Sequence, residues 1–512
     1  MSTVLQVKEF PMFMDGKWQA AESGEWFDII YPGNGQTVAR VASGHKEDVD
    51  KAVAIARRTF ESGIWSKQSI EIRAALLLSF AQQIMQNADE LAYLEVLSSG
   101  GTLRRVRNMD ILQIADLLLQ TAEFMKSYPY VEYLPIPPYP GPANGQVWRE
   151  PIGVCAAITP WNFPMILAMW KIVPALAMGN SMVIKPASHT PLSTLKLAEL
   201  AVRAGIPAGV LNVVTGAGSQ VGEALVTHPD VDKIAFTGST TVGRNIMRQA
   251  AGTIKRVTLE LGGKSPSILL PDADLRLAIP GSLFGVFLHS GQICESGTRL
   301  FVHESQYDQV LAKLAEQAQA IRMGDPFDME TRMGPLVSKQ QMETVLNYIE
   351  IGQQEGARLV CGGKPVQIPG CEGGYFIPPT IFADVDNQMR IAQEEIFGPV
   401  LSVIRYKDVD EAVQKANESI YGLAAGVWTQ NINEAYRIAR QLRAGTVWIN
   451  DWHMLRSDAP FGGFKQSGFG RELGKYALDE YSQLKHVHAS LVTEEKRRVA
   501  WDLLLESPIE KA

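Results

Sequence analysis

Between residues 151 and 270, short apolar runs alternate with longer stretches of helical periodicity, and no other feature constrains the chain as strongly. Successive strand and helix units of this kind build a parallel sheet with helices on its faces. Strands are expected at 154–158, 182–185, 211–214, 233–236, 258–261 and 267–270, with helices at 164–178, 191–203, 220–226 and 240–251. Several of the helices carry Pro or Gly at the ends where capping favours them. A doubly wound α/β domain is implied.

The preceding stretch, 46–126, is a nearly continuous helical pattern broken at Gly63 and at Gly100-Gly101, and should complete that domain by packing on its sheet. Residues 128–145 carry Pro135, Pro137, Pro138, Pro140 and Pro142, which remove backbone donors. They read as an arm leaving the body of the domain rather than as a central helix or strand. A second α/β pattern begins near residue 272: strand 300–303, helices 306–322 and 339–355, strand 401–405, then helix, strand, helix and strand to Asn450. A glycine-rich turn region follows at 462–474, and a strand at 481–491 is placed to meet the arm. The charged tail from Thr493 onward reads as a surface helix. The expected division is 1–127 with 146–261, then 262–470, an arm of 128–145 with 471–495, and a tail of 496–512, which suits a chain of 512 residues.

A net charge of -7 and a pI near 5.7 leave no basic footprint for nucleic acid or an anionic membrane surface, so a small molecule is the expected partner. Lys171, Lys185 and Arg203 interrupt the longest apolar region before it reaches the roughly 18 residues a membrane span needs. The first ten residues include Lys8 and Glu9 and lack a secretory apolar core, so a cytoplasmic chain is expected. Four cysteines, Cys155, Cys294, Cys361 and Cys371, are too scattered for a disulfide framework or a paired-cysteine zinc site, and no metal is expected. Cys155 lies in an apolar run and reads as buried; Cys361 and Cys371 flank glycine-rich turns without a partner.

The segment Gly238-Ser239-Thr240-Thr241-Val242-Gly243 follows a strand and opens a helix, a place where a phosphate approaches backbone donors. A tight turn without a ligand has the same appearance, and the spacing departs from G-x-G-x-x-G. Cys294 stands among small residues in Gly291-Gln292-Ile293-Cys294-Glu295-Ser296-Gly297, which permits a carbonyl to approach sulfur. An inert core thiol is the other reading. Glu260 is a carboxylate inside an apolar strand just before Gly262-Gly263, where burial would raise its pKa toward that of a general base; a paired structural carboxylate is the alternative. Asn162 ends the first strand within Thr159-Pro160-Trp161-Asn162-Phe163-Pro164, where ligand-contacting side chains sit and an amide could donate to an oxyanion, although Asn also suits turns for backbone reasons.

Taken together with Lys185-Pro186, Glu395-Ile396-Phe397-Gly398-Pro399 and Pro460-Phe461-Gly462-Gly463, these motifs resemble the aldehyde dehydrogenase superfamily in content, order and spacing, including the 34 positions from Glu260 to Cys294. The resemblance runs from about Phe13 to Leu491. It implies a Rossmann-like dinucleotide-binding domain, a second α/β catalytic domain and a small β oligomerisation arm, in a homodimer or homotetramer. It also implies a mechanism. The Cys294 thiolate attacks the aldehyde, Asn162 and the Cys294 N–H hold the oxyanion, hydride passes to NAD or NADP, and Glu260 activates the water that hydrolyses the thioester. CoA-acylating relatives usually lack this glutamate, so release of a free acid is implied.

By the same resemblance Trp161, Lys185, Gly238, Ser239, Gly243, Glu395 and Phe397 lie along the dinucleotide. Ser188 stands where NAD-preferring relatives carry a glutamate, so NADP should be accepted. The substrate tunnel is implied to comprise Phe163, Leu167, Trp170, Ile293, Glu295, His453, Leu455 and Phe461, favouring an aromatic or medium-chain aliphatic aldehyde. Trp170 stands where succinic semialdehyde dehydrogenases carry an arginine, which disfavours short semialdehyde acids, and Arg456 keeps a carboxylated or amino aldehyde open. His453 and Glu295 are polar for such a wall. They could bind a substrate hydroxyl or amine, His453 could be a solvated loop histidine, and Glu295 could raise the thiol pKa if turned inward. The rival from another class is a cofactor-independent cysteine hydrolase or acyltransferase, whose base would have to be His289.

Overall fold

The computed structural model describes residues 7–137, 141–493, 501, 503 and 504. Two large sheets organise it. The first has eight strands in the order Gly468–Phe469, Arg256–Glu260, Lys233–Thr237, Val154–Ile158, Ser181–Lys185, Leu211–Val213, Met12–Met14 and Lys17–Gln19. Its central five are parallel, and the outer strands at both edges run antiparallel to their neighbours. The parallel part starts in the middle at Val154–Ile158, steps outward to Leu211–Val213, then returns to Lys233–Thr237 on the other side. That reversal makes a crevice beyond the carboxyl ends of Val154–Ile158 and Lys233–Thr237, the usual ligand site of doubly wound sheets. The expected doubly wound, Rossmann-like architecture is therefore present.

The second sheet has seven strands, ordered Arg358–Cys361, Thr380–Ala383, Val400–Tyr406, Arg299–His303, Pro266–Leu269, Ala424–Trp428 and Thr446–Ile449, parallel except for the first pair. Here one grouping fails. The strand at 267–270, grouped by its apolar run with the first α/β pattern although the expected division set 262–470 apart, pairs with Arg299–His303 and Ala424–Trp428. The chain crosses between sheets in the few residues after Glu260, where Gly262-Gly263 permit a close turn. A second crossing occurs at Gly468–Phe469, which pairs with Arg256–Glu260.

The helical stretch before the first sheet resolves into Lys46–Ser62, Ile70–Gln86, Ala88–Ser99, a short turn Leu103–Arg105, a π-helical turn Val106–Asp110 and Ile111–Ser127. Breaks at Gly63 and Gly100 follow from left-handed glycines at φ 77° and 69°. The helix expected from residue 220 opens as a π turn, Gly218–Gly222, before Glu223–Thr227.

The arm is a three-stranded antiparallel sheet with Ala143–Pro151 between Val131–Tyr133 and Ser482–Ser490. The pairing of 482–490 with the arm was expected. The arm, however, was read as free of central strands and ending at residue 145, whereas its middle strand starts at Ala143 and reaches Pro151. Its prolines fall before that strand and at its last position, so the ladder loses little. The helix expected in the charged tail lies outside the described residues except for Trp501, Leu503 and Leu504. Among the described residues no helix is long and apolar enough to cross a membrane, and no group of His, Cys, Asp and Glu side chains is arranged to hold a metal.

Candidate active site

The carboxyl ends of the first sheet's strands face the amino ends of the second sheet's strands. Asn162 follows Val154–Ile158, Ser239 follows Lys233–Thr237, and Glu260 ends Arg256–Glu260. From the other side, Cys294 precedes Arg299–His303, and Glu395 and Phe397 precede Val400–Tyr406. The close approach is made by two glycines: a Cβ on Gly263 would lie 2.2 Å from the Cys294 carbonyl oxygen, and one on Gly262 would lie 2.2 Å from Glu395 Oε2.

Cys294 is carried on a strained turn. His289, Ser290 and Gly291 all adopt left-handed backbone, at φ 51°, 57° and 74°. For the two non-glycine residues that costs about 1–3 kcal/mol each. The turn is pinned by Ser290 Oγ donating to Gly334 O at 2.7 Å and by Gln292, whose Oε1 accepts from Val337 N at 2.9 Å. It ends the helical run before it and delivers Cys294, half-buried, into a cleft, while Cys155, Cys361 and Cys371 are buried.

Two cavities meet at Cys294. One is lined by Met109, Gln113, Asn162, Phe163, Ile166, Leu167, Trp170, Leu288, Ile293, Glu295, His453 and Leu455. It contains seven of the eight residues expected to form a substrate tunnel. The eighth, Phe461, stands behind it with its ring 5.3 Å from that of Trp170. The other cavity is lined by Pro160, Trp161, Asn162, Leu167, Thr237, Gly238, Ser239, Glu260, Leu261, Gly262, Gln341, Glu395 and Phe397. Asn162, Leu167 and Cys294 belong to both.

In the second cavity, Ser239 caps the helix Thr240–Ala250, its Oγ accepting from Val242 N at 3.3 Å, and the Trp161 and Phe397 rings meet edge to face at 5.1 Å. Glu395 accepts from Gly263 N at 3.1 Å, and burial pushes its carboxyl up to about 7. Lys185, Ser188 and Gly243 are not among its walls. Lys185 is buried, which lowers its ammonium to about 8, and its Nζ donates to Pro186 O at 3.0 Å. Ser188 Oγ donates to Gly216 O at 2.9 Å. Gly243 serves packing: a Cβ there would meet Leu261 Cδ2 at 2.5 Å.

Asn162 Nδ2 donates to Gln292 O at 2.9 Å, which fixes the amide beside the turn that carries the cysteine. The Cys294 N–H has no acceptor among the described residues. Glu260 is buried with Oε2 unpaired. Burial and the nearby Glu472 charge hold its carboxyl well above the usual range, opposed by Lys171 and Arg471. Lys171 is itself buried, 2.5 Å from Glu472 Oε1 and 2.7 Å from Thr237 Oγ1.

The polar corner of the tunnel differs from one expectation. His453 is not a solvated loop residue: its side chain is 2% exposed and its Nδ1 lies 3.1 Å from Glu295 Oε1. Glu295 is turned inward, and Cys294 Sγ donates to its Oε2 at 3.1 Å. Burial and the Glu295 carboxylate push the Cys294 thiol well above its ordinary range. Burial alone would raise Glu295, yet hydrogen bonds from His453 and Cys294 hold it below. His289 makes no contact with Sγ; it is buried against Phe163, 5.2 Å between rings, which removes the base a cysteine hydrolase would need. Arg456 pairs with Asp458 at 2.6 Å, is 72% exposed and does not line the tunnel.

Sequence reasoning missed Met109, Gln113, Ile166, Leu288 and Gln341. Met109 and Gln113 are four apart across the junction of the π turn and the following helix, a spacing that shows a shared face but not what the face covers.

Residues 18–487 match the sequence profile of the family described as "Aldehyde dehydrogenase family". The chain is 46% identical over 478 residues to the betaine aldehyde dehydrogenase of Bacillus subtilis (strain 168), covering 93% of this chain and 96% of that protein. Its fold superposes on the aldehyde dehydrogenase KauB of Pseudomonas aeruginosa with a TM-score of 0.92 at 44% identity, covering 95% and 97% of the two chains. It matches the indole-3-acetaldehyde dehydrogenase AldA of P. syringae, a mutant solved with NAD+ and IAA, with a TM-score of 0.92 at 45% identity over 95% and 98% of the chains. The chain belongs to the aldehyde dehydrogenase family.

Proposed function

We propose that this enzyme, an aldehyde dehydrogenase that oxidises an aldehyde to its carboxylic acid, acts on aromatic or medium-chain aliphatic aldehydes with Cys294 as nucleophile. The observation that carries the reading is the position of Cys294 where an apolar tunnel and a polar groove meet. An aldehyde entering through the tunnel reaches sulfur from one side, and a dinucleotide in the groove reaches it from the other. Loss of the thiol proton and attack on the carbonyl carbon give a thiohemiacetal. Its oxyanion is held by the Asn162 amide and the free Cys294 N–H, donors of a type worth about 3 to 4 kcal/mol each. Glu260, buried and raised in pKa, takes a proton from water to hydrolyse the resulting thioester.

The groove fits a nicotinamide dinucleotide: Ser239 opens a helix toward it, glycines admit close backbone contact, and Trp161, Glu395 and Phe397 form its walls. When bound, that group accepts the hydride. NAD is bound by the related P. syringae enzyme. NADP is accepted as well, because Ser188 is neutral and Lys185, destabilised by burial and facing no carboxylate among the described residues, gains from a 2'-phosphate. Trp170 in the tunnel and the surface pairing of Arg456 favour an apolar aldehyde over a carboxylated one.

The division into a dinucleotide-binding domain, a catalytic domain and an oligomerisation arm is supported by three of the four sheets among the described residues, the eight-stranded, the seven-stranded and that of the arm. Tyr133, Ile136 and Leu484 on the arm are 70%, 65% and 67% exposed, apolar surface that a homodimer or homotetramer would cover. Four free cysteines suit a reducing compartment such as the cytoplasm. The test is a panel of aldehydes with NAD and NADP in parallel, read by absorbance of the reduced cofactor. Oxidation of benzaldehyde and hexanal with both cofactors is expected; activity confined to carboxylated or amino aldehydes would overturn the substrate reading.

A further inference from the structure

Resting on the aldehyde-oxidising reading above, we infer that the tunnel is built for an aldehyde that also carries a hydroxyl group, whose O–H donates to Nε2 of His453. The walls are largely apolar, yet two nitrogen atoms in them, His453 Nε2 and Trp170 Nε1, are buried without a hydrogen-bond partner among the described residues. Buried polar atoms of native proteins are nearly always paired, so these two orphans, with Asn162 Oδ1 a third in the same cavity, point to groups that the substrate brings.

His453 is held in place for this. Its backbone is left-handed at φ 59°, a strained conformation for histidine, and its ring is boxed by Phe284 at 5.3 Å and Trp452 at 6.4 Å between centroids. Glu295 then fixes the tautomer. Its carboxylate can only accept, so the proton of the neutral ring sits on Nδ1, 3.1 Å from Oε1, and Nε2 presents a lone pair. Glu295 is thus a positioning residue for His453 as well as the acceptor of the Cys294 thiol.

The partner of that lone pair must donate. A hydroxyl does so, as does an ammonium, whereas a methoxy or carboxylate oxygen only accepts. Both oxygens of Glu295 are already engaged, by His453 and by Cys294, so no free carboxylate faces an ammonium. The class is therefore hydroxylated aldehydes, with the remaining Phe163, Leu167 and Leu455 surface covering an apolar frame.

The experiment compares kcat/KM for benzaldehyde with its three hydroxy isomers, their methoxy counterparts and 3-aminopropanal, at about pH 7 so that the phenols keep the O–H that is to donate. It is run on wild type, His453→Leu and His453→Gln. The readout is the hydroxy-to-parent ratio within each protein, which cancels losses common to both substrates. At least one isomer should exceed benzaldehyde by about tenfold or more in wild type, the methoxy counterpart should not, and the advantage should fall to about one in His453→Leu. His453→Gln, whose amide oxygen can accept, should recover part of it. A wild-type ratio near one for every isomer, a ratio unmoved in His453→Leu, or a preference for the aminoaldehyde over all hydroxy isomers overturns the inference while leaving aldehyde oxidation standing. Failure of the whole panel with both dinucleotides would instead remove the reading on which it rests.

Discussion

Replacing Glu295 by Gln removes a negative charge whose Oε2 lies 3.1 Å from the Cys294 sulfur. At that separation Coulomb's law gives about 5 kcal/mol of thiolate destabilisation at an effective dielectric of ~20, and about 1.3 kcal/mol at the water value of ~80. With about 1.36 kcal/mol per pKa unit, the thiol should fall by roughly 1 to 4 units in the variant. The charge being removed opposes the thiolate, so the shift is downward. Glu395 and Glu260 also raise this thiol and remain in place, as does burial, so the group stays elevated relative to an exposed cysteine. The assay is the rate of alkylation by iodoacetamide in the free enzyme across pH, with modification of Cys294 followed by peptide mass. Its midpoint should move down by at least about one unit. At about pH 7.5 a tenfold gain in thiolate, offset by weaker nucleophilicity, leaves a rate increase of at least about threefold. An unmoved midpoint, or one displaced to higher pH, would refute the claim that the carboxylate restrains the nucleophile.

Cys294→Ala should abolish aldehyde oxidation while fluorescence titration still detects dinucleotide binding; residual oxidation would remove it as nucleophile. Ser188→Glu should weaken NADP relative to NAD by about tenfold or more in kcat/KM, since it sets a carboxylate against the 2'-phosphate. An unchanged ratio would dissociate Ser188 from cofactor choice. As the proposed base for thioester hydrolysis Glu260 would act as carboxylate, and its pKa is raised by burial and by Glu472. The deacylation rate should therefore rise with pH through a midpoint well above the ordinary carboxylate range, and Lys171→Met, which withdraws an opposing charge, should move that midpoint higher still. A deacylation rate flat from about pH 5 upward would contradict this.

The five central strands of the first sheet were legible within two residues. Val154–Ile158, Ser181–Lys185 and Lys233–Thr237 hold apolar runs of the kind that strands covered on both faces carry. Leu211–Val213 and Arg256–Glu260 hold apolar residues on either side of Asn212 and Thr258. The strand just past the expected boundary at 261/262 was grouped with the first pattern, since Pro266–Leu269 has the same apolar character as the strands before it and only its pairing assigns it. Two- and three-residue edge strands such as Gly468–Phe469 carry no periodicity to read. At the site, residue types announced Cys294, Glu260 and Asn162 as candidates. The left-handed backbone of His289 and Ser290 had no sequence signal, because Gly291 is the only glycine of the three. His453 could not be separated from a surface histidine by its neighbours in sequence, for its partner Glu295 is 158 residues away. Long-range pairing decides such cases, and it is a property of the fold.

The division of labour between Cys294 and Glu260 is tested most directly by rapid mixing of Glu260→Gln with aldehyde and dinucleotide, followed by intact mass. The account predicts a burst of reduced cofactor close to one equivalent per active site, then slow turnover, with an acyl mass added to the peptide bearing Cys294. Wild-type steady-state turnover without an acyl adduct would contradict it.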